Sequence, residues 1–555
     1  MGGTYQGRLE LTWTNKTKCL LARSDGTYEW VDPTDYRVAE VRLLQPVETF
    51  GNDPSDNLLI QGDALYALRS LQQIPYYRNM YVGKVKLAYL DPPFNTQQAF
   101  AQFNDALEHS VWLTMMRDRL RSIRDLLSMD GSVWVHCDDS EQHRLRCVMD
   151  EVFGPDNFVA TVIWEKTDSP RMDASYFSGR HDYILIYRRS EEFTINRLMA
   201  TDDGTHYNQV DSNGRRYYRN PLRARGGQGS TREARPNLYY PLIAPDGTEV
   251  YPKLPNGGDG RWRWSREKVE RDKHLIDWVR GREGWTPYYR VYEPEQRFRP
   301  PETIWLHTEV GSTRNSANEI KSLLDGQSFA TPKPERLMQR IIHIASNPGD
   351  IVLDCFAGSG TTAAVAHKMG RRWVAVEWNE DTVQRYIIPR LRKVIEGQDP
   401  GGITESVGWE GGGGFRFVKV APSMFTEISS RVVLAEWATN GLLAQACAAQ
   451  LGFEYVNDPP FCGRKGKLRL AVVDGMVNPD VVRLLVKRLS EEEQLVLCGT
   501  AVDPKAREEL RRLRPGSSVR KIPSALLSGY RYRPPAYEWD DNEDSEIEIP
   551  TMPLP

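Results

Sequence analysis

The chain has 555 residues, of which 40% are hydrophobic and 26% charged, and its formal net charge is −3. That length allows about two to four domains, and the net charge excludes a uniformly basic coat for nucleic acid, so any such surface has to be local. The seven cysteines include no Cys-x-x-Cys pair, which argues against a zinc site or a disulfide framework and favours a reducing cytoplasm. No stretch approaches the roughly 18 apolar residues of a membrane span, so we expect a cytoplasmic protein without membrane contact.

The N-terminal region predicts β structure and one acidic strand end. Residues 1–50 contain short alternating runs typical of a small β element, with a hairpin turn around Asp25 and Gly26. The segment 57–63 predicts a strand that ends in Gly-Asp, followed by a helix. Asp63 therefore has two possible roles, a hydrogen bond to a ligand at the strand end or an N-cap for the helix.

The clearest chemical signal is the sequence Val-Lys-Leu-Ala-Tyr-Leu-Asp-Pro-Pro-Phe-Asn-Thr, which starts at Val85. Its first six residues predict a buried strand, and Asp91 ends that strand. Pro92 and Pro93 lack a backbone N–H and forbid further pairing. The result is a carboxylate on a stiff turn beside the ring of Phe94, at the strand end where open α/β sheets bind ligands.

This turn suits a reaction at the exocyclic amine of a nucleobase. Such an amine is a poor nucleophile, because its lone pair is delocalised into the ring. A carboxylate and a prolyl carbonyl that accept its two N–H groups would free the lone pair for attack on a methyl group, and Phe94 offers a face to a flipped base. The alternative is a turn without chemistry, and we predict that role for the second Asp-Pro-Pro-Phe, at 458–461.

Strands and helices alternate after this turn. A helix is predicted over 110–128, and the next strand contains His136 before it ends at Asp138 and Asp139. His136 is a candidate base, although a hydrogen-bonded buried histidine is the favoured interpretation. The alternation predicts a doubly wound sheet.

The composition changes after residue 189. Between 213 and 235 there are seven arginines and one acid, with tyrosines and glycines interleaved. Guanidinium groups suit phosphates and guanine edges, and aromatic rings suit stacking. A solvated surface insert is the alternative to a nucleic-acid reader, for which the candidate contacts are Arg215, Arg216, Arg219, Arg223 and Arg225.

The second half carries a glycine turn between two strands. A strand ends at Asp354, the turn Cys-Phe-Ala-Gly-Ser-Gly follows it and opens a helix, and the next strand ends at Glu377. Glycines let a ligand approach the backbone, and an acid at the end of the second strand binds ribose hydroxyls. Two packing glycines and a surface Glu377 are the alternative. No Gly-x4-Gly-Lys-Ser/Thr motif is present, so a nucleotide triphosphate site is not indicated.

The order of these features resembles the β-class amino-methyltransferases of DNA, and the modification subunits of type III restriction systems in particular. The resemblance covers roughly 55–395 and implies a circularly permuted Rossmann-like methyltransferase sheet with an inserted target-recognition domain and a C-terminal α/β domain. The predicted division is a small N-terminal β element (1–50), a first half of the core (51–189), a target-recognition insert (190–325), a second half of the core (326–400), a C-terminal α/β domain (401–537) and an acidic tail (538–555).

The resemblance also implies roles for individual residues. S-adenosylmethionine would be the cofactor, and Asp91, Pro92, Pro93 and Phe94 would hold the flipped base, an adenine more than a cytosine because the first residue is Asp. The cofactor would be bound by residues of five segments, namely Asp63, Lys333 with Pro334, Asp354, Phe356 with Gly358 and Gly360, and Glu377.

The expected partners are double-stranded DNA and a second copy of the chain, or a restriction or translocase subunit supplied by another chain. A cytosine-N4 methyltransferase, a DNA-binding subunit of a larger defence complex and a dinucleotide-dependent oxidoreductase are the alternative functions. No metal is expected.

Overall fold

The computed structural model describes residues 10–23, 27–52, 57–95, 98–99, 104–105, 108–172, 174–199, 205–227, 229–282, 284–294 and 298–531. The predicted turn at Asp25 and Gly26 and the acidic tail lie outside the described residues. The chain forms two compact units, one that runs to Asn196 and resumes at Glu302, and one from Arg197 to Pro301. Among the described residues, no helix has both the length and the apolar composition that crossing a membrane requires.

The first unit is built on a ten-stranded mixed sheet. In chain order its strands are β1 (Leu44–Gly51), β2 (Leu58–Gln61), β3 (Val85–Leu90), β4 (Leu127–Cys137), β5 (Phe158–Glu165), β6 (His181–Arg188), β7 (Ile304–Trp305), β8 (Ile351–Asp354), β9 (Arg372–Glu377) and β10 (Gly414–Val420). Their order across the sheet is β7-β5-β6-β4-β3-β8-β9-β2-β10-β1. The run from β4 to β10 is parallel, whereas β6 and β1 are antiparallel to their neighbours.

The central strands are mainly apolar because both faces of the sheet are covered. Every residue of β3 and β8 is buried. The chain leaves β3 toward β4 on one side and leaves β8 toward β9 on the other, so the strand order reverses between these two neighbours. This topology confirms the predicted α/β class and the permuted sheet.

Helices alternate with these strands. They are α1 (Ala64–Gln73), α2 (Pro75–Tyr81), α3 (His109–Leu126), α4 (Gln142–Phe153), α5 (Thr313–Leu323), α6 (Glu335–Ala345), α7 (Thr361–Lys368) and α8 (Ile388–Ile395). The helix predicted over 110–128 ends at Leu126, because Leu127 already pairs with Val85 of β3. Short helices cover Tyr36–Ala39, His307–Val310, Glu380–Thr382 and Thr404–Val407.

The N-terminal and C-terminal regions both contribute strands to the main sheet. A separate ladder joins Cys19–Ala22 to Tyr28–Val31, but β1 forms the sheet edge and pairs with β10. The glycine-rich stretch 401–413 leads into β10, which lies inside the main sheet, and Asn57 Nδ2 donates to the Gly414 carbonyl at 3.0 Å. The predicted domain bounds stay predictions.

A smaller sheet follows β10. Its five strands are Glu454–Asp458, Phe461–Lys465, Leu468–Val477, Gln494–Val502 and Ser518–Lys521. Four helices accompany it, Leu443–Leu451, Pro479–Val486, Pro504–Leu513 and Ser524–Arg531, as does a hairpin of Phe425–Ile428 and Arg431–Leu434. The second Asp-Pro-Pro-Phe connects the first two of the five strands, which confirms that it is a turn.

The second unit has its own sheet and core. Four strands pair in the order Gln209–Val210, Arg216–Pro221, Gly284–Tyr292 and Ile276–Gly281. Two further pairs join Leu198–Met199 to Phe298–Arg299 and Leu242–Ile243 to Glu249–Val250, and one helix covers Arg266–Asp272. Trp262 and Trp264 lie in its core with Leu222, Tyr240, Leu242 and Val269.

Candidate active site

Acidic side chains follow four adjacent parallel strands at one edge of the main sheet. The strands are β3, β8, β9 and β2, in that order. Asp91 follows β3, Asp354 and Glu377 end β8 and β9, and Asp63 lies just beyond β2. Because the carboxyl ends of parallel strands lie at one edge, the residues predicted for the target amine and for the cofactor come together where the strand order reverses.

The carboxylate of Asp91 is bound through only one of its oxygens. Lys333 Nζ lies 2.5 Å from Oδ2. Oδ1 is buried and has no hydrogen-bond partner among the described residues. The turn is held by Trp112, whose Nε1 donates to the Pro93 carbonyl at 2.6 Å. A buried acceptor without a donor costs about 1–3 kcal/mol of stability. A ligand N–H that donates to Oδ1 would remove this cost.

The ring of Phe94 lies on a second ring. It stacks on the imidazole of His136 with a centroid distance of 5.5 Å and an interplanar angle of 19°. Lys333 Nζ is 5.3 Å from the Phe94 centroid. His136 also contacts Trp164 edge-on at 5.4 Å. One face of the Phe94 ring is therefore covered by His136.

His136 is a satisfied buried histidine, as the sequence favoured. Its Nδ1 is 3.0 Å from the Tyr89 hydroxyl, and its Nε2 is 3.2 Å from Asp182, which is also paired with Lys166 at 2.7 Å. Burial, and then the nearby charge of Lys333, lower the pKa of His136. The neutral ring thus donates from Nε2 to Asp182 and accepts the Tyr89 O–H at Nδ1.

Two carboxylates brace the glycine turn. The backbone N–H of Gly358 donates to Glu377 Oε2 at 3.0 Å, and that of Phe356 donates to Asp354 Oδ1 at 2.9 Å. Gly358 and Gly360 have φ values of +51° and +76°, a left-handed conformation that favours glycine. The glycine turn predicted from the sequence is therefore fixed by hydrogen bonds to Asp354 and Glu377, the acids at the ends of β8 and β9.

These acids have raised pKa values. Burial is the main cause for both, and it raises the pKa of Asp354 to about 7 and that of Glu377 to about 7. The negative charges of Asp91 and Glu377 add to the effect at Asp354. A cation bound among these three groups would favour their ionised forms.

Asp63 caps a helix in the structure. Its Oδ1 accepts the backbone N–H of Leu65 at 2.7 Å, which caps α1, and its Oδ2 pairs with Arg119 at 3.0 Å. The guanidinium carbon of Arg119 lies 5.9 Å from the centroid of the Phe356 ring. Asp63 is thus fixed beside the glycine turn, and a role in binding the cofactor stays a prediction.

Lys333 and Pro334 precede α6, with Pro334 as its N-cap. The first helical residue, Glu335, is buried and pairs with Lys368 and Arg390 at 2.8 Å each. Arg390 Nη1 in turn donates to Thr361 Oγ1, at the start of α7, at 2.8 Å. This buried ion network links the Lys-Pro segment to the helix that follows the glycine turn.

A further buried carboxylate supports the residue after Phe94. Asn95 has a φ of +63° and donates from Nδ2 to Glu141 Oε1 at 2.8 Å. Glu141 also contacts His109, and it pairs with Arg144 at 3.1 Å. The turn after Asp91 is therefore held at two points, at the Pro93 carbonyl by Trp112 and at the Asn95 side chain by Glu141.

Glu141, Glu335 and Asp182 were not predicted from the sequence as residues of the site. Asp182 had a usable signal, because it is a charged residue inside the apolar run His-Asp-Tyr-Ile-Leu-Ile-Tyr of β6. The other two lie at helix starts, where an acid is ordinary. No group of three His, Cys, Asp or Glu side chains within the described ranges is placed to hold a metal ion.

The five arginines predicted to contact DNA fall into two groups within the second unit. Arg215, Arg216 and Arg219 are ion-paired with Asp211, Glu293 and Asp277, at 2.8, 3.3 and 2.9 Å. Arg223 and Arg225 have no carboxylate partner among the described residues. They lie next to Arg261 and Arg263, since Ala224 N donates to the Arg261 carbonyl and Arg263 N to that of Leu222. Of the five arginines, Arg223 and Arg225 therefore carry positive charge that is not balanced by a carboxylate of the described residues.

Comparison with known proteins agrees with this site. A model of the DNA methylase family N6_N4_Mtase matches residues 85–388. The chain is 30% identical over 440 residues to the probable type III restriction-modification enzyme HindVI Mod subunit of Haemophilus influenzae, an alignment that covers 69% of this chain and 56% of that protein. It is 29% identical over 367 residues to the EcoPI Mod subunit of Escherichia phage P1, which covers 57% and 56%.

A third relative is covered more completely. The type II methyltransferase M1.MboII of Moraxella bovis is 54% identical over 306 residues, which is 54% of this chain and 87% of that protein. The chain spans about half the length of the two Mod subunits. The family match includes the Asp-Pro-Pro-Phe turn, the second unit and the glycine turn, and it extends over more than half of the residues. The resemblance inferred from the motifs is thus confirmed, and the chain belongs to the N6_N4_Mtase family of DNA methylases.

Proposed function

We propose that this protein transfers a methyl group from S-adenosylmethionine to the N6 amine of an adenine in double-stranded DNA. Membership of a DNA methylase family supports the class of reaction. The observation that carries the proposal is Asp91 Oδ1, a buried acceptor without a partner among the residues that the structure describes. It lies at the sheet edge that also holds the glycine turn, so a donor N–H and a methyl donor would meet there.

The residues at this edge fit a nucleoside cofactor with a cationic centre. Asp91, Asp354 and Glu377 are close enough for the charges of the other two to raise the pKa of Asp354. Gly358 and Gly360, both in a left-handed conformation, present backbone without a side chain at two positions of the turn. When bound, S-adenosylmethionine supplies an electrophilic methyl group on a positively charged sulfur, and Asp354, Phe356, Gly358, Gly360 and Glu377 are the residues that would hold it.

The protein contributes geometry to the transfer. Asp91 Oδ1 accepts one N–H of the target amine, and the Pro92 carbonyl accepts the other. This arrangement draws the nitrogen toward tetrahedral geometry and frees its lone pair. The base has to leave the DNA stack first, and Phe94, supported from below by His136, gives it a surface to stack on. The proton leaves after attack, so Asp91 does not have to be a strong base.

Adenine is favoured over cytosine by the first residue of the motif. An Asp at position 91 resembles adenine-N6 enzymes, whereas Ser is more typical of cytosine-N4 enzymes. Phe in place of the commoner Tyr at position 94 keeps the stacking face and loses a hydroxyl only. A cytosine-N4 activity is the second candidate, and the identity of the methylated base distinguishes the two.

The relatives named as Mod subunits support a role in restriction-modification. We propose that this chain marks the host DNA, and that a restriction or translocase subunit supplied by another chain cuts unmarked DNA. A second copy of the chain is the other proposed partner. Co-purification of this chain with the product of a neighbouring gene and measurement of its mass in solution test both.

Methylome sequencing of a methylation-free host that expresses this chain alone tests the activity. We expect N6-methyladenine within one short recognition sequence, and none in a host expressing Asp91→Ala. Calorimetry should still detect binding of S-adenosylmethionine to Asp91→Ala, and no binding of NAD to either form. A host without methylated sites would refute the proposal, and so would methylation by Asp91→Ala at the wild-type level.

A further inference from the structure

We infer that Lys333 is a positioning residue for Asp91, and that it acts by holding one carboxylate oxygen so that the other is presented to the target amine. The inference rests on the proposed function and adds to it. The sequence resemblance assigns Lys333 and Pro334 to cofactor binding, whereas the Lys333 ammonium lies on the carboxylate of Asp91, the proposed acceptor for the target amine.

The contacts of Lys333 are specific to the target side of the site. Its Nζ is 2.5 Å from Asp91 Oδ2 and 5.3 Å from the centroid of the Phe94 ring. The side chain is buried, with 9% of its surface exposed. Its charge also contributes to the lowered pKa of His136 beneath Phe94. One ammonium therefore touches both elements of the base-binding turn, the acceptor and the stacking ring.

The backbone beneath Lys333 is rigidly held. Two residues further on, Glu335 forms buried ion pairs with Lys368 and Arg390, and its Oε2 also accepts the backbone N–H of Ile403 at 3.0 Å. Glu335 packs so closely on Gly402 that a Cβ added there would collide with its carboxylate. These contacts fix the start of α6, so the Lys333 side chain extends to Asp91 from a fixed backbone position.

The consequence for Asp91 follows from the geometry of a carboxylate. Rotation about its Cβ–Cγ bond changes the directions in which the two equivalent oxygens point. The Lys333 ammonium on one oxygen restricts that rotation, and it leaves the other, Oδ1, fixed in direction and without a partner among the described residues. An ammonium has three N–H donors, so a contact of Lys333 with the cofactor tail would not require it to release Asp91.

The test separates this role from a role in cofactor binding. Three variants are compared with the wild type: Lys333→Met, which removes the charge, Lys333→Arg, which keeps it, and Lys321→Met, a control at an exposed lysine on α5. Circular dichroism confirms the fold of each. Calorimetry measures the dissociation constant for S-adenosylmethionine without DNA, and single-turnover assays measure methyl transfer at saturating cofactor and DNA.

For Lys333→Met we expect the dissociation constant to stay within about threefold of wild type and the single-turnover rate to fall about 100-fold, the effect of a misplaced reacting group. Lys333→Arg should recover part of that loss, and Lys321→Met should match the wild type. A Lys333→Met enzyme that transfers at the wild-type rate under saturation would overturn the inference, whether or not its cofactor affinity has dropped. A wild-type chain that transfers no methyl group would instead overturn the proposed function.

Discussion

Cofactor affinity should depend on pH through Asp354 and Glu377. Both carboxyls have a pKa of about 7, raised by burial from 3.8 and 4.5. At pH 6 about nine in ten such groups are protonated, and ionising one costs a factor of about ten, or about 1.4 kcal/mol. A cation favours the ionised forms, so its binding has to expel these protons when the pH is below 7.

The sign and size of the effect follow from these values. The affinity for S-adenosylmethionine should rise between pH 6 and pH 8, by about tenfold if one carboxyl is coupled to the bound cation and about 100-fold if both are. Above pH 8 it should level off. In the ligand-free protein the same groups stabilise the fold fully at pH values below their usual pKa, and that contribution is lost as the pH rises through 7.

Isothermal titration calorimetry at pH 6, 7 and 8 measures the affinity, and repeating it in buffers with different ionisation enthalpies counts the protons released. S-adenosylhomocysteine, which has a neutral sulfur, is the matched ligand and should show a weaker pH dependence. Asp354→Asn removes one of the two titrating groups and should reduce the change in affinity by a factor of about ten. An affinity that is constant from pH 6 to pH 8, without proton release, would refute the electrostatic description of the site.

Three further outcomes are expected. Glu335→Gln should lower the free energy of unfolding by about 3–5 kcal/mol in chemical denaturation, because buried Arg390 loses its carboxylate partner while Lys368 keeps Asp399 at 2.6 Å; an unchanged midpoint would contradict this network. Phe94→Leu should keep the affinity for S-adenosylmethionine and lower kcat/KM for DNA, because about 1–3 kcal/mol of stacking energy is lost. Phe94→Tyr should stay near wild type. Equal values of kcat/KM for Phe94→Leu and the wild type would exclude the stacking role. In the second unit, glutamine at three arginines that have no carboxylate partner among the described residues should reduce the salt dependence of DNA binding more than glutamine at three ion-paired arginines, by about 0.9 in slope for each phosphate that is no longer neutralised. An equal reduction from both sets would refute this difference, and no reduction from either set would place the DNA-binding surface elsewhere. The two sets are Arg225, Arg261 and Arg263, and Arg215, Arg216 and Arg219.

The sequence predicted the parts of the site in which the local backbone structure requires a particular type of residue. Asp91 at the end of an apolar strand and the glycines 358 and 360 between two strands could be predicted, because strand-end acids and left-handed turns demand particular residues. These two predictions depend on local rules that a single segment satisfies. The parallel order of β3 and β8 was predicted in another way, from the order of the motifs and the resemblance to a family.

The remainder depends on contacts between distant segments. Lys333 and Asp91 are 242 positions apart, and nothing in either segment states that they meet. The same holds for Asn57, whose bond to Gly414 shows that a glycine-rich stretch leads into a core strand. The glycines of this stretch give no signal that the strand after them, β10, pairs with β2 on one side and β1 on the other.

The short ladder where the chain enters and leaves the second unit has an evolutionary consequence. Leu198 and Met199 pair antiparallel with Arg299 and Phe298, so entry and exit lie on adjacent strands, about 5 Å apart. A genetic exchange that replaces the residues between these strands would therefore leave both ends of the exchanged segment close together. It would also leave unchanged the sequence of the strand before Asp91 and of the strand that ends at Asp354.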